Sequence, residues 1–211
     1  MTQIRAVIFD MDGVLIDAKD WHYEALNRAL NLFGFNISRY DHLVTFDGLP
    51  TRKKLEMLSR EHGLPPRLHG FLNELKQVYT IELIHSRCKP RFQHEYALSR
   101  LKAAGYRLAV ASNSVRPTIE LMMQKAELQQ YLDFIVSNQD VKAPKPAPEI
   151  YEQAANRFGL PPAACLVVED NPNGIAAARA AGCSLLVVQD VADVTLDRIL
   201  AQIERMNAAS S

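Results

Sequence analysis

The stretch AVIFDMDGVL, residues 6–15, ends an apolar run on two aspartates that are separated by a single residue. The run Ala6–Phe9 is uniformly apolar, which is typical of a strand buried on both faces of a parallel sheet. Asp10 and Asp12 follow directly, and Gly13 permits a tight backbone turn beside them. Because ligands bind at the carboxyl ends of parallel strands, we expect chemistry at this point of the chain.

Short apolar runs recur between helical patterns along the rest of the chain. They are Leu108–Ala111, Leu166–Val168, Leu185–Val188 and, more weakly, Phe134–Val136. Gly105, Gly159 and Gly182 each follow a helical pattern, where a left-handed residue commonly ends a helix. This alternation of strands and helices predicts a doubly wound α/β domain.

The segment from residue 17 to residue 87 breaks the alternation and carries only helical patterns. Its three predicted apolar faces are Trp21, Ala25, Ala29 and Phe33; Leu55 and Leu58; and Leu68, Leu72, Leu75, Tyr79 and Leu83. The segment far exceeds an ordinary crossover connection of about a dozen residues. We therefore predict an all-helical cap, residues 17–87, inserted into a core made of residues 1–16 and 88–211. The alternative is that these helices pack directly on the sheet.

Composition excludes several classes of protein. The 211 residues include 24 Lys and Arg and 24 Asp and Glu, so the net charge is zero and nucleic-acid binding is not expected. The longest apolar runs are far shorter than the roughly 20 residues needed to span a bilayer, so no membrane association is expected. Three cysteines without CxxC spacing indicate reduced thiols, and residues 1–5 lack a signal-peptide pattern. We expect a cytoplasmic monomer or weak homo-oligomer.

Polar residues also follow the other predicted strands. Ser112 and Asn113 come after the second run, and Glu169 and Asp170 after the run that begins at Leu166. Lys145 lies between them in the sequence, flanked by prolines. A lone aspartate after a strand most often caps a turn. Polar residues after several strands, brought together at one edge of a sheet, favour a functional site instead.

Four carboxylates gathered at one edge would repel each other and raise one another's pKa values. A divalent cation would neutralise this repulsion between the carboxylates of Asp10, Asp12, Glu169 and Asp170. Oxygen ligands without histidine or cysteine nearby in the sequence favour Mg²⁺. The serine, asparagine and lysine side chains could then donate to phosphoryl oxygens. This combination predicts phosphoryl transfer.

On these residues the chain resembles the haloacid dehalogenase (HAD) superfamily, in the branch of β-phosphoglucomutase and small-molecule phosphatases with a helical cap. The motifs that carry the resemblance are Asp10-Met11-Asp12-Gly13-Val14, Ser112-Asn113, Lys145 in KPAPEIY, and Glu169-Asp170 followed by NPNGI. The match covers essentially the whole chain. It implies a Rossmann-like parallel-sheet core and a cap that closes over the substrate.

The resemblance also implies the roles of individual residues. Asp10 would be the nucleophile that forms an aspartyl-phosphate, and Asp12 the general acid and then the base for water. Mg²⁺ would be bound by the Asp10 carboxylate, the Asp12 backbone carbonyl and Asp170, with Glu169 bound directly or through water. The implied phosphate-binding residues are Ser112, Asn113 and Lys145.

In the predicted cap, the resemblance points to His22, Gly48, Thr51, Arg52 and Lys76 as residues that choose the substrate. Two alternatives stay open at this point. Arg52 could equally be a solvated residue in the first turn of a helix. His22 could equally be packed in the interior or face the solvent, without contacting a substrate.

The chain departs from the family pattern in three places. Residues 88–95, CKPRFQHE, lack the Pro-Gly turn that commonly precedes the helix before the second strand. Glu149 stands where an aspartate is usual, and Pro172-Asn173 replace small residues after the acidic pair. No catalytic group is lost, but the altered hinge could change how the cap closes.

The sequence thus favours a Mg²⁺-dependent phosphatase that acts on a small phosphorylated metabolite such as a sugar phosphate. The alternatives are a sugar phosphomutase, in which the phosphoryl group passes to a sugar hydroxyl, and a noncatalytic module that binds a phosphorylated ligand. A signalling receiver domain would leave the helical insert unexplained. A dinucleotide-binding module is disfavoured because no two of the nine glycines have GxG spacing.

Overall fold

A parallel sheet forms the centre of the computed structural model, which describes residues 3–209. Its strands within that range are β1 Ala6–Phe9, β2 Arg107–Ala111, β3 Phe134–Val136, β4 Cys165–Glu169 and β5 Ser184–Val187. They lie in the order β3-β2-β1-β4-β5, and every neighbouring pair is parallel. The predicted α/β class with a Rossmann-like sheet is confirmed, and each predicted strand matches to within one residue at either end.

Helices follow the strands as the sequence indicated. In chain order they are α1 Lys19–Asn31, α2 Arg39–Asp41, α3 Thr51–His62, α4 His69–Arg87, α5 Phe92–Ala103, α6 Arg116–Lys125, α7 Glu149–Phe158, α8 Pro172–Ala180 and α9 Leu196–Ala209. Gly105, Gly159 and Gly182 have φ values of 88°, 65° and 77°, so the three predicted left-handed caps are confirmed. None of the helices within residues 3–209 has both the length and the apolar composition to cross a membrane.

The chain divides into two compact units. One runs up to Asp17 and resumes at Lys89, and it contains the sheet. The other is Ala18–Cys88, which differs by one residue at each end from the segment predicted from its helical patterns.

In the sheet-containing unit, α7 and α8 bury alanine-rich faces against one side of the sheet. Ala154 and Ala155 of α7 and Ala177 and Ala178 of α8 are fully buried in one cluster with Ile8 of β1. Small side chains let a helix axis approach a strand closely, so the elements that follow β3 and β4 are held firmly. Both of these connections carry residues of the predicted site.

In the second unit, leucines from α1, α3 and α4 form the core. They are Leu26, Leu30, Leu55, Leu58 and Leu72. The prediction that Phe33 shares the buried face of the first helix is wrong. The helix ends at Asn31, and Phe33 lies beyond it with 39% of its surface exposed, where it contacts Phe71 edge-on.

The second unit also contains more helical turns than the three predicted helices. These are α2, a π-helical stretch His42–Phe46 and a 3₁₀ turn Pro66–Leu68. In the π-helical stretch only His42 and Phe46 are buried. Two buried residues are too few to give a recognisable periodic pattern.

Both edge strands of the sheet receive hydrogen bonds from side chains. The backbone N–H of Ser112 donates to the Val136 carbonyl, so the backbone N–H and carbonyl of the preceding residue, Ile135, point away from β2. The Ile135 carbonyl accepts from Arg157 at 3.1 Å and from Arg116 at 3.4 Å. At the opposite edge, the Gln202 amide of α9 donates to the Leu185 carbonyl at 2.9 Å.

The three cysteines are free thiols, as the sequence predicted. Burial raises the pKa of Cys165 to about 11 and that of Cys183 to about 12. Thiols with pKa values this high are almost fully protonated at neutral pH and react slowly.

Candidate active site

Asp10 and Ser112 continue the hydrogen-bond ladder of the sheet by one position. The backbone N–H of Asp10 donates to the Val168 carbonyl at 3.0 Å, and that of Ser112 donates to Val136 at 3.0 Å. These bonds fix both residues at the carboxyl edge of the sheet, although each lies just beyond its strand. Hydrogen bonds of the sheet ladder therefore hold the backbone at both predicted site positions.

Lys145 joins the ends of three strands. Its Nζ lies 2.5 Å from Asp10 Oδ1, 2.7 Å from Glu169 Oε1 and 2.9 Å from the Ala111 carbonyl, which uses all three ammonium donors. The side chain is only 4% exposed. Burial opposes the charge, but the two carboxylates outweigh it and hold the pKa of Lys145 above its ordinary value. The ammonium is therefore a permanent positive charge beside the predicted nucleophile.

Both carboxylate oxygens of Glu169 accept hydrogen bonds. Its Oε1 also accepts from the Tyr151 hydroxyl at 2.7 Å, and its Oε2 accepts from the backbone N–H groups of Asp170 at 3.0 Å and Asn171 at 3.1 Å. Gly174 of α8 leaves the space in which this carboxylate lies. With four donors already bound, Glu169 is better suited to orienting Lys145 than to direct coordination of a metal ion.

Asp10, Glu169 and Asp170 form an acidic cluster in which one oxygen from each lies within 4.8 Å of the others. Burial raises the pKa of Asp10 well above its usual value; Lys145 offsets part of this, and the neighbouring carboxylates, Asp12 included, add to it. A divalent cation would compensate this concentration of negative charge, and hard oxygen donors are the ligands that such ions prefer. The residues present therefore fit a cation such as Mg²⁺.

Asp12 lies in a tight turn, Met11–Ile16. The Ile16 backbone N–H donates to Met11 at 2.9 Å, and the Gly13 N–H donates back to Ile16 at 2.7 Å. Gly13 has a φ of 88°, which glycine adopts without strain. The Asp12 Oδ2 accepts from the Ser114 hydroxyl at 3.2 Å, so Ser114 is a site residue that the sequence interpretation missed.

The Asn113 side chain binds the backbone of Lys145. Its Oδ1 accepts from the Lys145 N–H at 3.1 Å, and its Nδ2 donates to the Lys145 carbonyl at 3.3 Å. Asn113 was predicted to donate to phosphoryl oxygens. In the structure, one amide hydrogen and the carbonyl oxygen serve to hold the lysine loop in place.

Two further carboxylates fix the loop between β3 and α7, which carries Lys145. Asp140 accepts from Arg116 at 2.6 Å and from Arg157 at 3.1 Å, as well as from Ser137. Glu149 accepts from the backbone N–H groups of residues 142 and 143 at 2.9 and 2.8 Å. The glutamate that replaces the usual aspartate thus still serves as a loop acceptor.

The predicted cap residues have different environments within the second unit. His22 Nδ1 lies 3.2 Å from Lys76 Nζ, and Lys76 is only 7% exposed, so these two form a partly buried pair. Gly48 has a φ of 70°, and Thr51 is the first residue of α3. The Arg52 side chain, in contrast, is 89% exposed and pairs with Glu56, which matches its alternative interpretation as a solvated residue.

Lys54 is a buried cation that the sequence interpretation missed. It lies on α3, two residues after Arg52, and it is buried together with His42. Burial, followed by the nearby Lys54 charge, lowers the pKa of His42 to about 4, so this histidine is neutral at physiological pH. A lysine in a helix normally indicates a solvated face, and nothing local in the sequence distinguishes Lys54 from its neighbour Lys53.

Comparison with known proteins agrees with this geometry. A family model described as haloacid dehalogenase-like hydrolase matches residues 7–188. The chain therefore belongs to the haloacid dehalogenase-like hydrolase family.

Several relatives match over most of their length. A phosphorylated carbohydrates phosphatase of Thermotoga maritima is 31% identical over 183 residues, which cover 85% of this chain and 82% of the relative. The protein CbbY of Rhodobacter capsulatus is 29% identical, with 88% and 85% covered. The crystal structure of β-phosphoglucomutase from Clostridium difficile has a TM-score of 0.85 over 98% of this chain and 100% of the other at 22% identity, a likeness of fold.

Proposed function

We propose that this protein is a Mg²⁺-dependent phosphatase that hydrolyses a small phosphomonoester, such as a sugar phosphate, through an aspartyl-phosphate. The observation that carries the proposal is the Asp10 carboxylate, fixed at a strand end by a buried Lys145 ammonium and followed two residues later by Asp12. Relatives named as phosphatases, among them one for phosphorylated carbohydrates, support the substrate class.

In the first step the Asp10 carboxylate attacks phosphorus, and the bond from phosphorus to the ester oxygen breaks. The leaving oxygen takes a proton from Asp12, whose Oδ2 also accepts from Ser114. In the second step Asp12 removes a proton from water, which attacks the aspartyl-phosphate and frees Asp10 together with inorganic phosphate. The Lys145 ammonium lies 2.5 Å from Asp10 Oδ1, so its positive charge would be next to the attacking carboxylate and would stabilise the negative charge of both transition states.

The Asp10 and Asp170 carboxylates, together with the Asp12 backbone carbonyl, would hold the Mg²⁺ ion. When bound, the ion neutralises part of the charge on the transferring phosphoryl group. Glu169 acts on the same site through Lys145, because its four hydrogen bonds already use its oxygens.

Residues of the second unit would recognise the part of the substrate that does not react. The buried Lys76 and its neighbour His22 are the strongest candidates for this role, because a partly desolvated ammonium binds sugar hydroxyls or a second anionic group well. Gly48 and Thr51 are candidates beside them. From the neutral charge and free thiols we propose a cytoplasmic location and a monomer or weak homo-oligomer.

The second candidate function is a sugar phosphomutase, which the pairing of His22 with Lys76 keeps open. One experiment separates the two. The protein is incubated with Mg²⁺ and a panel of sugar monophosphates, with and without a sugar bisphosphate primer, while inorganic phosphate and isomer formation are followed together. Steady release of phosphate supports the phosphatase, whereas isomer formation that depends on the primer would replace it with the mutase.

A noncatalytic module that binds a phosphorylated ligand would give neither product. Rapid acid quench followed by mass spectrometry tests the covalent step directly, because an aspartyl-phosphate on Asp10 is expected during turnover. Asp10→Asn serves as the matched control. Absence of a covalent phosphoryl group with every donor would contradict the proposed mechanism.

A further inference from the structure

A partly open cavity of about 330 Å³ lies between the edge strand β5 and helix α9, both in the sheet-containing unit. No residue of the candidate active site lines it. Small-molecule sites commonly have volumes of about 300 to 1,000 Å³, so this cavity can hold a small organic ligand. The lining residues are Leu185, Leu186, Val187, Arg198, Ala201, Gln202 and Arg205.

The strand wall of the cavity is the outer edge of the sheet. Side chains of consecutive strand residues point to opposite faces, so residues 185–187 can all line one cavity only along the strand edge. The Val188 N–H donates to the Glu169 carbonyl of β4 at 2.9 Å. Because backbone groups alternate in direction along a strand, the N–H of Val187 points away from β4, towards the cavity. The edge therefore offers a backbone donor beside apolar side chains.

The helix wall carries positive charge and no carboxylate. Its residues are spaced three, four and seven positions apart, so they share one face of α9. Arg198 is paired with Asp193. Arg205 follows Ala201 and Gln202 by four and three positions, so no acid precedes it by one turn. Within residues 3–209 its guanidinium has no hydrogen-bond or ion-pair partner. The cavity consequently has one arginine whose charge is not compensated.

Gln202 limits the kind of ligand that fits. Its amide donates to the Leu185 carbonyl at 2.9 Å, which blocks the position where an added peptide strand would pair with β5. The amide nitrogen has a second hydrogen, which remains available as a donor. The guanidinium of Arg205 forms a planar fork that matches the two oxygens of a carboxylate. A small anion is therefore favoured over a peptide strand.

We propose that this cavity binds a small organic carboxylate with an apolar body. The carboxylate pairs with Arg205, and the apolar body lies against the side chains of residues 185–187 and Ala201. Three kinds of donor, namely one guanidinium, one amide hydrogen and one backbone N–H, suffice for two carboxylate oxygens. The inference does not depend on the proposed phosphatase function, because the cavity shares no residue with the active site.

Titration of the full-length ¹⁵N-labelled protein with 3-phenylpropionate tests the proposal. We expect saturable shifts of the Leu185 and Val187 amides and of Arg205 Nε, while the Asp10 and Ser112 amides stay unchanged. A Kd of about 1 mM is expected for so few contacts, so the titration runs to roughly ten times that concentration. The neutral 3-phenylpropionamide and acetate, which lacks the apolar body, should each bind at least about tenfold more weakly.

Three results of this titration would overturn the proposal. One is the absence of saturable shifts at the cavity. Another is equal binding of the carboxylate and its neutral amide. The third is tighter binding of inorganic phosphate at the same resonances, which would show that the site does not select an organic carboxylate.

Variants locate the ligand. Arg205→Gln should weaken binding of 3-phenylpropionate at least about tenfold. Ala201→Phe fills the space for the apolar body and should weaken it similarly while the guanidinium is retained. Arg60→Gln removes the same charge from an exposed arginine of the other unit and is the matched control. Its Kd should equal that of the parent protein, as should that of Asp10→Asn. The proposal fails if Arg205→Gln binds like the parent, or if either control loses as much affinity.

Discussion

The Glu169 carboxylate lies in the space that a side chain at position 174 would occupy. A Cβ built on Gly174 would be 1.6 Å from Oε1 and 2.0 Å from Cδ of Glu169. In Gly174→Ala, either the carboxylate or α8 has to move, and the support of Lys145 is lost with it. We expect a destabilisation of about 3 kcal/mol in urea unfolding and a steep fall in phosphate release.

Gly70 provides the matched control for this substitution. It lies in α4, and a Cβ there meets nothing within 4 Å. Gly70→Ala should leave activity unchanged and should be neutral or stabilise by up to about 1 kcal/mol. If both alanine variants were equally stable and equally active, the close approach of Glu169 to Gly174 would contribute neither to stability nor to activity.

Asp10→Asn should abolish turnover while the fold persists. The amide keeps the shape of the carboxylate but cannot form an acyl phosphate, so a fall of about 1,000-fold or more in kcat is expected. Phosphate release measures the loss, and circular dichroism checks the fold. Asp17→Asn, which changes an exposed aspartate of the same unit, is the control and should remain active. A fully active Asp10→Asn protein would refute the assignment of the nucleophile.

Removal of divalent cations should stop phosphate release, and Mg²⁺ should restore it. Because the ion would bind the folded state alone, a concentration near 100 times its Kd should stabilise the protein by about 2.7 kcal/mol. Thermal unfolding with and without Mg²⁺ measures this shift independently of activity. Asp170→Asn should reduce the shift and Asp17→Asn should preserve it. An unchanged shift in Asp170→Asn would exclude this residue as a ligand.

Asp140 should make stability depend on pH. Burial alone would raise the pKa of Asp140, but hydrogen bonds from Ser137 and Arg116 outweigh it and hold that pKa below its ordinary value. The ionised Asp140 carboxylate therefore contributes its full stabilisation of the folded state above the unfolded-state pKa of about 3.9. This contribution is lost as the pH falls towards the lower pKa of the folded state.

Asp140→Asn removes this carboxylate and should cost on the order of 2 kcal/mol at pH 7. The stability difference from the parent protein should narrow below about pH 4, which urea unfolding at a series of pH values can follow. If the stability difference between Asp140→Asn and the parent protein stayed constant from pH 7 to pH 3, the ionised carboxylate would not be its cause.

Lys76 and Arg52 should behave differently when substituted. Arg52→Ala should change stability by less than about 0.5 kcal/mol, because an exposed ion pair contributes little. Lys76→Gln should raise KM for a sugar phosphate about tenfold, while p-nitrophenyl phosphate, which lacks the sugar, is affected far less. Equal effects of Lys76→Gln on both substrates would argue against a role in substrate recognition.

The sequence predicted the parts of the fold that depend on local pattern. Continuous apolar runs defined the strands, and glycines defined the helix ends, because neither requires knowledge of distant residues. The chemistry of the site followed from one rule, that the carboxyl ends of parallel strands meet at the same edge. That rule was sufficient to bring Asp10 and Glu169 to one edge, but it did not place Lys145, which lies in the loop after β3 and not at a strand end.

Other features depend on geometry between distant residues, which no local pattern contains. The Asn113 amide binds the backbone of a residue 32 positions away, and the two side-chain donors to Glu169, Lys145 and Tyr151, are 24 and 18 positions from it. Ser114 and Lys54 belong to residue types that usually lie at the surface, so only their observed surroundings distinguish them.

The side-chain bonds at the two sheet edges affect how molecules meet one another. A strand from a second molecule could extend the sheet only by displacing the guanidinium groups on Ile135 or the amide on Leu185. Each displacement would leave a donor without its acceptor in a crowded contact. Edge-to-edge aggregation is therefore opposed at both ends of the sheet, which favours solubility when the protein is concentrated.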